Sequence, residues 1–435
     1  MTTLKLAIAS LFFASLVSAE VHSLTLQQAL EIAARQNPEV ALARLDEQRA
    51  NQGINVALDP FRPKVYAGSG LAYTYGYPNS IDGNAPSLIE LKTDMAIFNR
   101  PKSYEVASAR ETARGSQFGA QAKAEDVAYQ AADLFLTAST ISHEKETIAQ
   151  QLPSLQKVME AMGAAVNEGS ELPLELKRAK VSLALSEERF KDSDLDLDYY
   201  QMMLAIVLGF PATDRVKPVD TDLSSTPAPP SEDEAADMAL HNNRQYRQMQ
   251  SAVLAKELDV RSFRAARLPE VNLVAQYALF AKYNYVNYFQ KFQRNNYQIG
   301  ASITIPLLVG SASKGLALQN STDMQKIRLQ MDQTRNRIIA DTRRSYEQWK
   351  KAQNIRDLSR DQLDLAREEL TVLLAKHDEG QVLMSRVEQA RLEESNRWIA
   401  LYEAETQVTR AKLAILRETG TLLAVLRSAP PAATP

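Results

Sequence analysis

Cysteine is absent from the 435 residues, which excludes disulfides, thiolate zinc sites, thiol nucleophiles and a lipidated cysteine. Glycine is scarce, with 15 residues where an ordinary share of roughly 7% would give about twice as many. Four histidines leave little material for metal or acid–base chemistry. Charge of one sign is missing too: 50 basic and 53 acidic side chains give a formal net charge of −3, so nothing electrostatic favours nucleic acid. Beyond residue 20 no apolar run approaches the ~20 residues that a membrane helix needs. What remains is rich in Ala, Leu, Glu, Gln and Arg, with 18 prolines gathered in patches. Such a composition favours long helices and leans against an enzyme.

Motifs for chemistry fail on inspection. Gly310-Ser-Ala-Ser-Lys314-Gly315 resembles a phosphate loop, but Lys should follow the second Gly, where Leu316 stands. Asp192, Asp194 and Asp196 resemble the start of a calcium loop, yet Leu197 occupies the turn position that requires Gly, so a charged helix face is expected. His22, His143, His241 and His377 have no i,i+4 partner for a metal. Trp349 and Trp398 lie on helical stripes, as packing residues would. No catalytic residue, cofactor or metal ligand is expected.

The first 19 residues read as a secretion signal. Lys5 is the positive start, Leu6 to Val17 an apolar run of 12, and Val17-Ser18-Ala19 a small-residue cleavage site before Glu20.

The rest reads as two copies of one unit. Ala33-Ala-Arg-Gln-Asn37-Pro38 stands 206 residues before Ala239-Leu-His-Asn-Asn243-Arg244, and Pro63-Lys-Val65 the same distance before Pro269-Glu-Val271. Glu168-Gly169 and Glu379-Gly380 are offset by 211, each Gly followed ten residues later by Ala179 or Ala390. The expected division is a first unit over 20–208, a proline-rich linker over 209–231, a second unit over 232–427 and a disordered tail over 428–435. Each unit begins with two helices (about 24–36 and 38–58; then 232–241 and 244–267). Two strands follow, then a long helical hairpin (102–208 and 311–427). Residues 316–379 contain no Gly or Pro, enough for about 96 Å of helix at ~1.5 Å per residue. Apolar stripes run along both long helices: Val127, Ala131, Leu134 and Ala138 on the first, Met324, Ile327, Met331 and Ile338 on the second. Pro153 is expected to bend or break the first of them.

Four segments alternate with a period of two, over about 63–77, 88–98, 269–285 and 295–308. Val271, Leu273, Ala275, Tyr277 and Leu279 share one face, with Asn272 and Gln276 on the other; Tyr297, Ile299, Ala301 and Ile303 alternate with Gln298, Gly300 and Ser302. Tyrosines gather towards strand ends at Tyr73, Tyr75, Tyr77, Tyr283, Tyr285 and Tyr297. This is the pattern of a lipid-facing barrel with a wet lumen and an aromatic girdle; a soluble sheet packed on helices would alternate in the same way. Four strands cannot close a barrel, since even small ones need about 8, so several copies would have to share one.

A signal peptide, two helix–strand–strand–hairpin units and a Gly at each hairpin turn together resemble the TolC family of outer-membrane efflux proteins. Met95-Ala-Ile-Phe-Asn-Arg-Pro101 and Ile303-Thr-Ile-Pro-Leu-Leu-Val309 are similar to that family's exit from barrel to helix. The resemblance implies an α+β membrane protein. Three chains would give four strands each to one 12-stranded barrel on an α-helical periplasmic tunnel, in the cell outer membrane. It implies two further partners, a periplasmic adaptor and an inner-membrane pump or ABC transporter, for tripartite efflux or type I secretion. The family's periplasmic entrance lies at the hairpin tips, here Glu168–Glu175 and Glu379–Arg386. It implies entrance or adaptor-docking roles for Gly169, Glu171, Glu175, Gly380, Arg386, Glu388 and Gln389. Many family members carry acidic residues six and nine positions after the second Gly. This chain departs from that pattern with Arg386 and Gln389, while Glu388 lies between them and Glu175 holds the sixth position in the first unit. A periplasmic adaptor, which also carries a long helical hairpin, is the alternative reading.

Overall fold

The computed structural model describes residues 20–70, 87–219, 229–280 and 295–424. In chain order these form β1 (Val21–Leu24), α1 (Leu26–Gln36), α2 (Pro38–Leu58), β2 (Lys64–Gly70), β3 (Ser87–Phe98), α3 (Arg100–Asn167) and α4 (Pro173–Leu208). Then come β4 (Arg215–Pro218), α5 (Glu232–Asn242), α6 (Arg244–Arg264), β5 (Glu270–Phe280), β6 (Asn295–Thr304), α7 (Ser311–Asp378) and α8 (Met384–Glu418). Equivalent helices have matching lengths: 11 and 11 residues for α1 and α5, 21 and 21 for α2 and α6. The long helices have 68 each, and the return helices 36 and 35.

Compact packing does not follow the order of the chain. One unit is built from the described parts of 1–41, 123–242 and 338–435, the other from 42–122 and 243–337. In the first, the apolar face of α1 (Leu26, Ala29, Leu30 and Ala33) joins Val127, Ala131 and Phe135 of α3, Leu204 and Leu208 of α4, and Leu413 and Leu416 of α8 in one buried cluster. Local chemistry sets its edges. Thr25 and Gln28 form a reciprocal capping box at the start of α1. Asn37 then caps α2 through Glu39 and Val40, and ties α4 down through the Val207 carbonyl at 2.7 Å. Its counterpart Asn243 caps α6 through the Tyr246 N–H.

The second unit holds a four-stranded antiparallel sheet in the order β2-β3-β5-β6. Facing residues share a side, so register tests the alternation directly. One face carries the rows Ala67–Leu91–Tyr277–Tyr297 and Met95–Leu273–Ala301. The other carries Tyr66–Lys92–Gln276–Gln298 and Ala96–Asn272–Ser302, with Gln276 Nε2 donating to Glu90 at 2.6 Å. An apolar and a polar face are therefore segregated across all four strands.

Several expectations need correction. The 209–231 segment is not linker throughout: β4 lies in it and pairs in parallel with β1, which was not anticipated either. Strand β6 ends at Thr304 rather than 308, because Pro306 lacks an N–H and restricts Ile305. The return helix α8 stops at Glu418, where Gly420 adopts φ +65° and turns the chain. Pro153 does not break α3, which runs on to Asn167 and forgoes only the bond to the Ala149 carbonyl. Trp398 is not a core residue: it is 46% exposed, with the Arg367 guanidinium 4.5 Å from its ring. The expected signal over 1–19, the expected tail over 428–435, the whole 71–77 strand end and residues 281–285 lie outside the described residues.

Candidate functional site at the hairpin tips and the sheet

Both hairpin tips turn by the same device. After α3, Ser170 N–H reaches the Ala165 carbonyl at 2.9 Å and Gly169 N–H the Val166 carbonyl at 3.1 Å. After α7, Gln381 reaches Lys376 at 2.9 Å and Gly380 reaches His377 at 2.8 Å. These are Schellman closures, and they place Gly169 and Gly380 at φ +75° and +73°. The same arrangement recurs at Gly209 and Gly420, again 211 residues apart, which the sequence reading had not singled out. Glu171 follows the first turn, its N–H also bonded to Ala165.

The return helices then set the charged groups. Leu172 and Leu383 are equivalent N-caps, so Glu175 and Arg386 take equivalent places in the first turns of α4 and α8. Glu175 suits the positive end of a helix, and it accepts from Arg178 at 2.7 Å. Arg386 sits at the same end with the unfavourable sign; it is exposed and has no side-chain partner among the described residues. Glu388 is only 6% exposed, held by Arg391 at 3.0 Å and by the Ser154 hydroxyl at 3.2 Å. Glu175, Arg178, Ser385, Glu388 and Gln389 line one small cleft, with Leu155, Val158 and Met162 of α3 as its apolar floor. The structure thus brings Glu175, Glu388 and Gln389 together and leaves Arg386 outside the cleft.

A larger cavity of about 720 Å³ continues between α3 and α8, lined by His143, Glu144, Gln151, Glu388, Trp398 and Tyr402 among others. His143 lies 4.1 Å from the Tyr402 ring. Burial, with Glu403 and Asp196 nearby, pushes the Glu144 carboxyl above the usual range, against the opposing pull of Arg189. The Glu388–Arg391–Ser154 contact joins residues 234 positions apart and gave no signal in the sequence. Asp192, Asp194 and Asp196 are exposed on α4, and Asp194 pairs with Lys145. No group of three or more His, Asp or Glu side chains suits a metal among the described residues.

On the sheet, Tyr297 is 77% exposed and Ile299 80%. Tyr73, Tyr75, Tyr77, Tyr283 and Tyr285 lie outside the described residues. No described helix is long and apolar enough to cross a membrane.

Residues 235–421, from α5 to the turn after α8, match the family described as outer membrane efflux protein. That segment is similar to outer membrane efflux proteins. The chain's fold is similar to three solved channels across 91% of its length. With the CmeC outer membrane channel of Campylobacter jejuni it shares 13% identity at a TM-score of 0.73, covering 86% of that chain. For the outer membrane protein VceC of Vibrio cholerae the values are 14%, 0.71 and 96%. For the open-state MtrE outer membrane channel of Neisseria gonorrhoeae they are 16%, 0.68 and 89%. At such identities the likeness concerns fold, and the family match concerns residues 235–421. No curated protein is matched by the sequence.

Proposed function

We propose that the chain is a TolC-like outer membrane efflux protein, the passive outer-membrane exit duct of a tripartite efflux or type I secretion machine. The observation that carries the reading is the four-stranded sheet, apolar on one face, polar on the other, with β2 and β6 each paired on one side only among the described residues. Four strands are too few for a closed barrel, and lipid does not tolerate open edges. Three copies sharing one 12-stranded barrel would satisfy both constraints. Polar side chains such as Lys92, Gln276 and Gln298 would then line water, while Leu273 and Ile299 meet lipid. Tyr73, Tyr75, Tyr77, Tyr283, Tyr285 and Tyr297 would form the aromatic girdle.

The matching helix lengths and constant offsets support two copies of one unit within the chain, preceded by a cleaved signal over 1–19. The two tips form the periplasmic entrance. Gly169, Glu171, Glu175, Gly380, Glu388 and Gln389 shape it, and Arg386 is the charge left available to a neighbouring copy or to a periplasmic adaptor. Transport energy would come from an inner-membrane pump or ABC transporter. An adaptor identity is disfavoured by the second hairpin and the lipid-patterned sheet.

Membrane fractionation followed by detergent extraction tests the reading. The expected result is an outer-membrane protein that runs as a stable trimer. A well-folded monomer by light scattering would overturn the shared barrel, and recovery in the soluble periplasm would point to the adaptor.

A further inference from the structure

Asp214 is a carboxylate 6% exposed, placed just before β4. Its Oδ2 faces His22 Nε2 at 3.4 Å, and the His22 ring stacks on Phe210 with centroids 4.3 Å apart. Its Oδ1 accepts from the Thr213 hydroxyl and from the backbone nitrogen of Glu20, both at 3.3 Å. The Glu20 N–H is the foremost cause holding this carboxyl below the usual range. The adjacent Arg215 guanidinium is committed elsewhere, with Nε and Nη2 on the two oxygens of Asp198. Its Nη1 donates to the Asp214 backbone carbonyl at 3.0 Å, so among the described residues no Lys or Arg reaches the Asp214 carboxylate itself, and an enclosed carboxylate without a permanent cation is unfavourable.

We propose that the missing cation is the α-ammonium group of the mature N-terminus, created at Glu20 when the signal is removed. The inference rests on cleavage after Ala19, which the sequence pattern predicts. Hydrolysis of the Ala19–Glu20 bond by a signal-cleaving protease consumes one water. The C–N bond breaks, oxygen stays on the new Ala19 carboxylate, and the Glu20 nitrogen becomes an amine that takes up a proton at neutral pH. The atom that donates to Asp214 as an amide thus becomes an ammonium at the same place. Its carbonyl is already fixed, accepting from the Arg215 N–H at 2.9 Å. Processing therefore charges the join between β1 and β4, which ties the start of the chain to the segment between its halves. A chain retaining even one residue before Glu20 keeps a neutral amide there and lacks the ion pair.

The test uses the full-length protein purified from outer membranes, its N-terminus identified by mass spectrometry. Two alanines inserted after Ser18 and a shifted cleavage would yield an extended form for comparison. Extension and Asp214→Asn should each lower the thermal midpoint, while extension added to Asp214→Asn should lower it little further. Acylation of the Glu20 amine near pH 8 should be about tenfold slower in the native protein than in Asp214→Asn, the factor that one unit of amine pKa supplies. Additive losses, equal acylation rates or a mature chain starting elsewhere than Glu20 would overturn the proposal. If Asp214→Asn does not assemble, acylation of the native protein against its urea-unfolded chain decides, and equal rates again overturn it.

Discussion

Gly209 and Gly169 adopt the same left-handed backbone but stand in different surroundings. A Cβ at Gly169 would meet nothing within 4 Å, so Gly169→Ala should cost only the αL strain, about 1–2 kcal/mol. A Cβ at Gly209 would lie 2.8 Å from the Gln36 carbonyl oxygen, backbone that cannot swing aside. Gly209→Ala should therefore cost roughly 2–5 kcal/mol, strain and overpacking together. Thermal midpoints of the two variants, measured side by side, check the order. Glu144 offers a second residue-scale expectation. Its raised pKa means that the folded chain holds the proton more tightly than the unfolded one. Its ionisation thus opposes folding increasingly as pH rises from the ordinary 4.5 through the raised value. Glu144→Gln should stabilise the protein at pH 7 and leave it unchanged well below 4.5; water screening keeps the gain within about 1 kcal/mol. A midpoint-versus-pH series on both proteins would show the curves converging in acid.

At the scale of elements, the two faces of the sheet make opposite demands. Leu273→Arg or Ile303→Arg places a charge on the apolar face and should cost roughly 2–4 kcal/mol near the membrane midplane, seen as lost outer-membrane trimer. Gln276→Arg or Ser302→Arg, on the polar face, should leave trimer yield intact. That segregation was legible in the sequence because period-two alternation is a local signal, and the long helices were legible because few breakers interrupt them. The four-residue strands β1 and β4 were not. Neither is long enough to show a period, and each exists through a partner about 194 residues away. At the tips, the turns were readable from Gly169 and Gly380, while the pairing of Glu388 with Arg391 and Ser154 depends on how α3 and α8 pack. Gly420 could have been found, since it stands at the same 211-residue offset from Gly209 that relates the two tips.

At the scale of the whole molecule, the proposed entrance turns on Arg386, which is exposed. Its counterpart Glu175 is bound within the chain by Arg178, and Glu388 by Arg391, so the proposed latch would join Arg386 to a carboxylate of another copy. Exposed pairs are worth about 0–1 kcal/mol each, but three would act together. Arg386→Glu should then loosen the closed tip and raise single-channel conductance in a planar bilayer. Unchanged conductance with trimer yield preserved would leave Arg386 to adaptor docking instead. If the proposed three-copy barrel forms, the edges of β2 and β6 that are unpaired among the described residues carry a genetic consequence. A barrel closed only by its neighbours' strands has no way to bypass a faulty copy. If half the chains in a cell bore a spoiled edge yet still assembled at random, only about one duct in eight would be wholly sound. An edge mutation should accordingly behave as dominant, and a mutation that prevents the chain from joining at all as recessive.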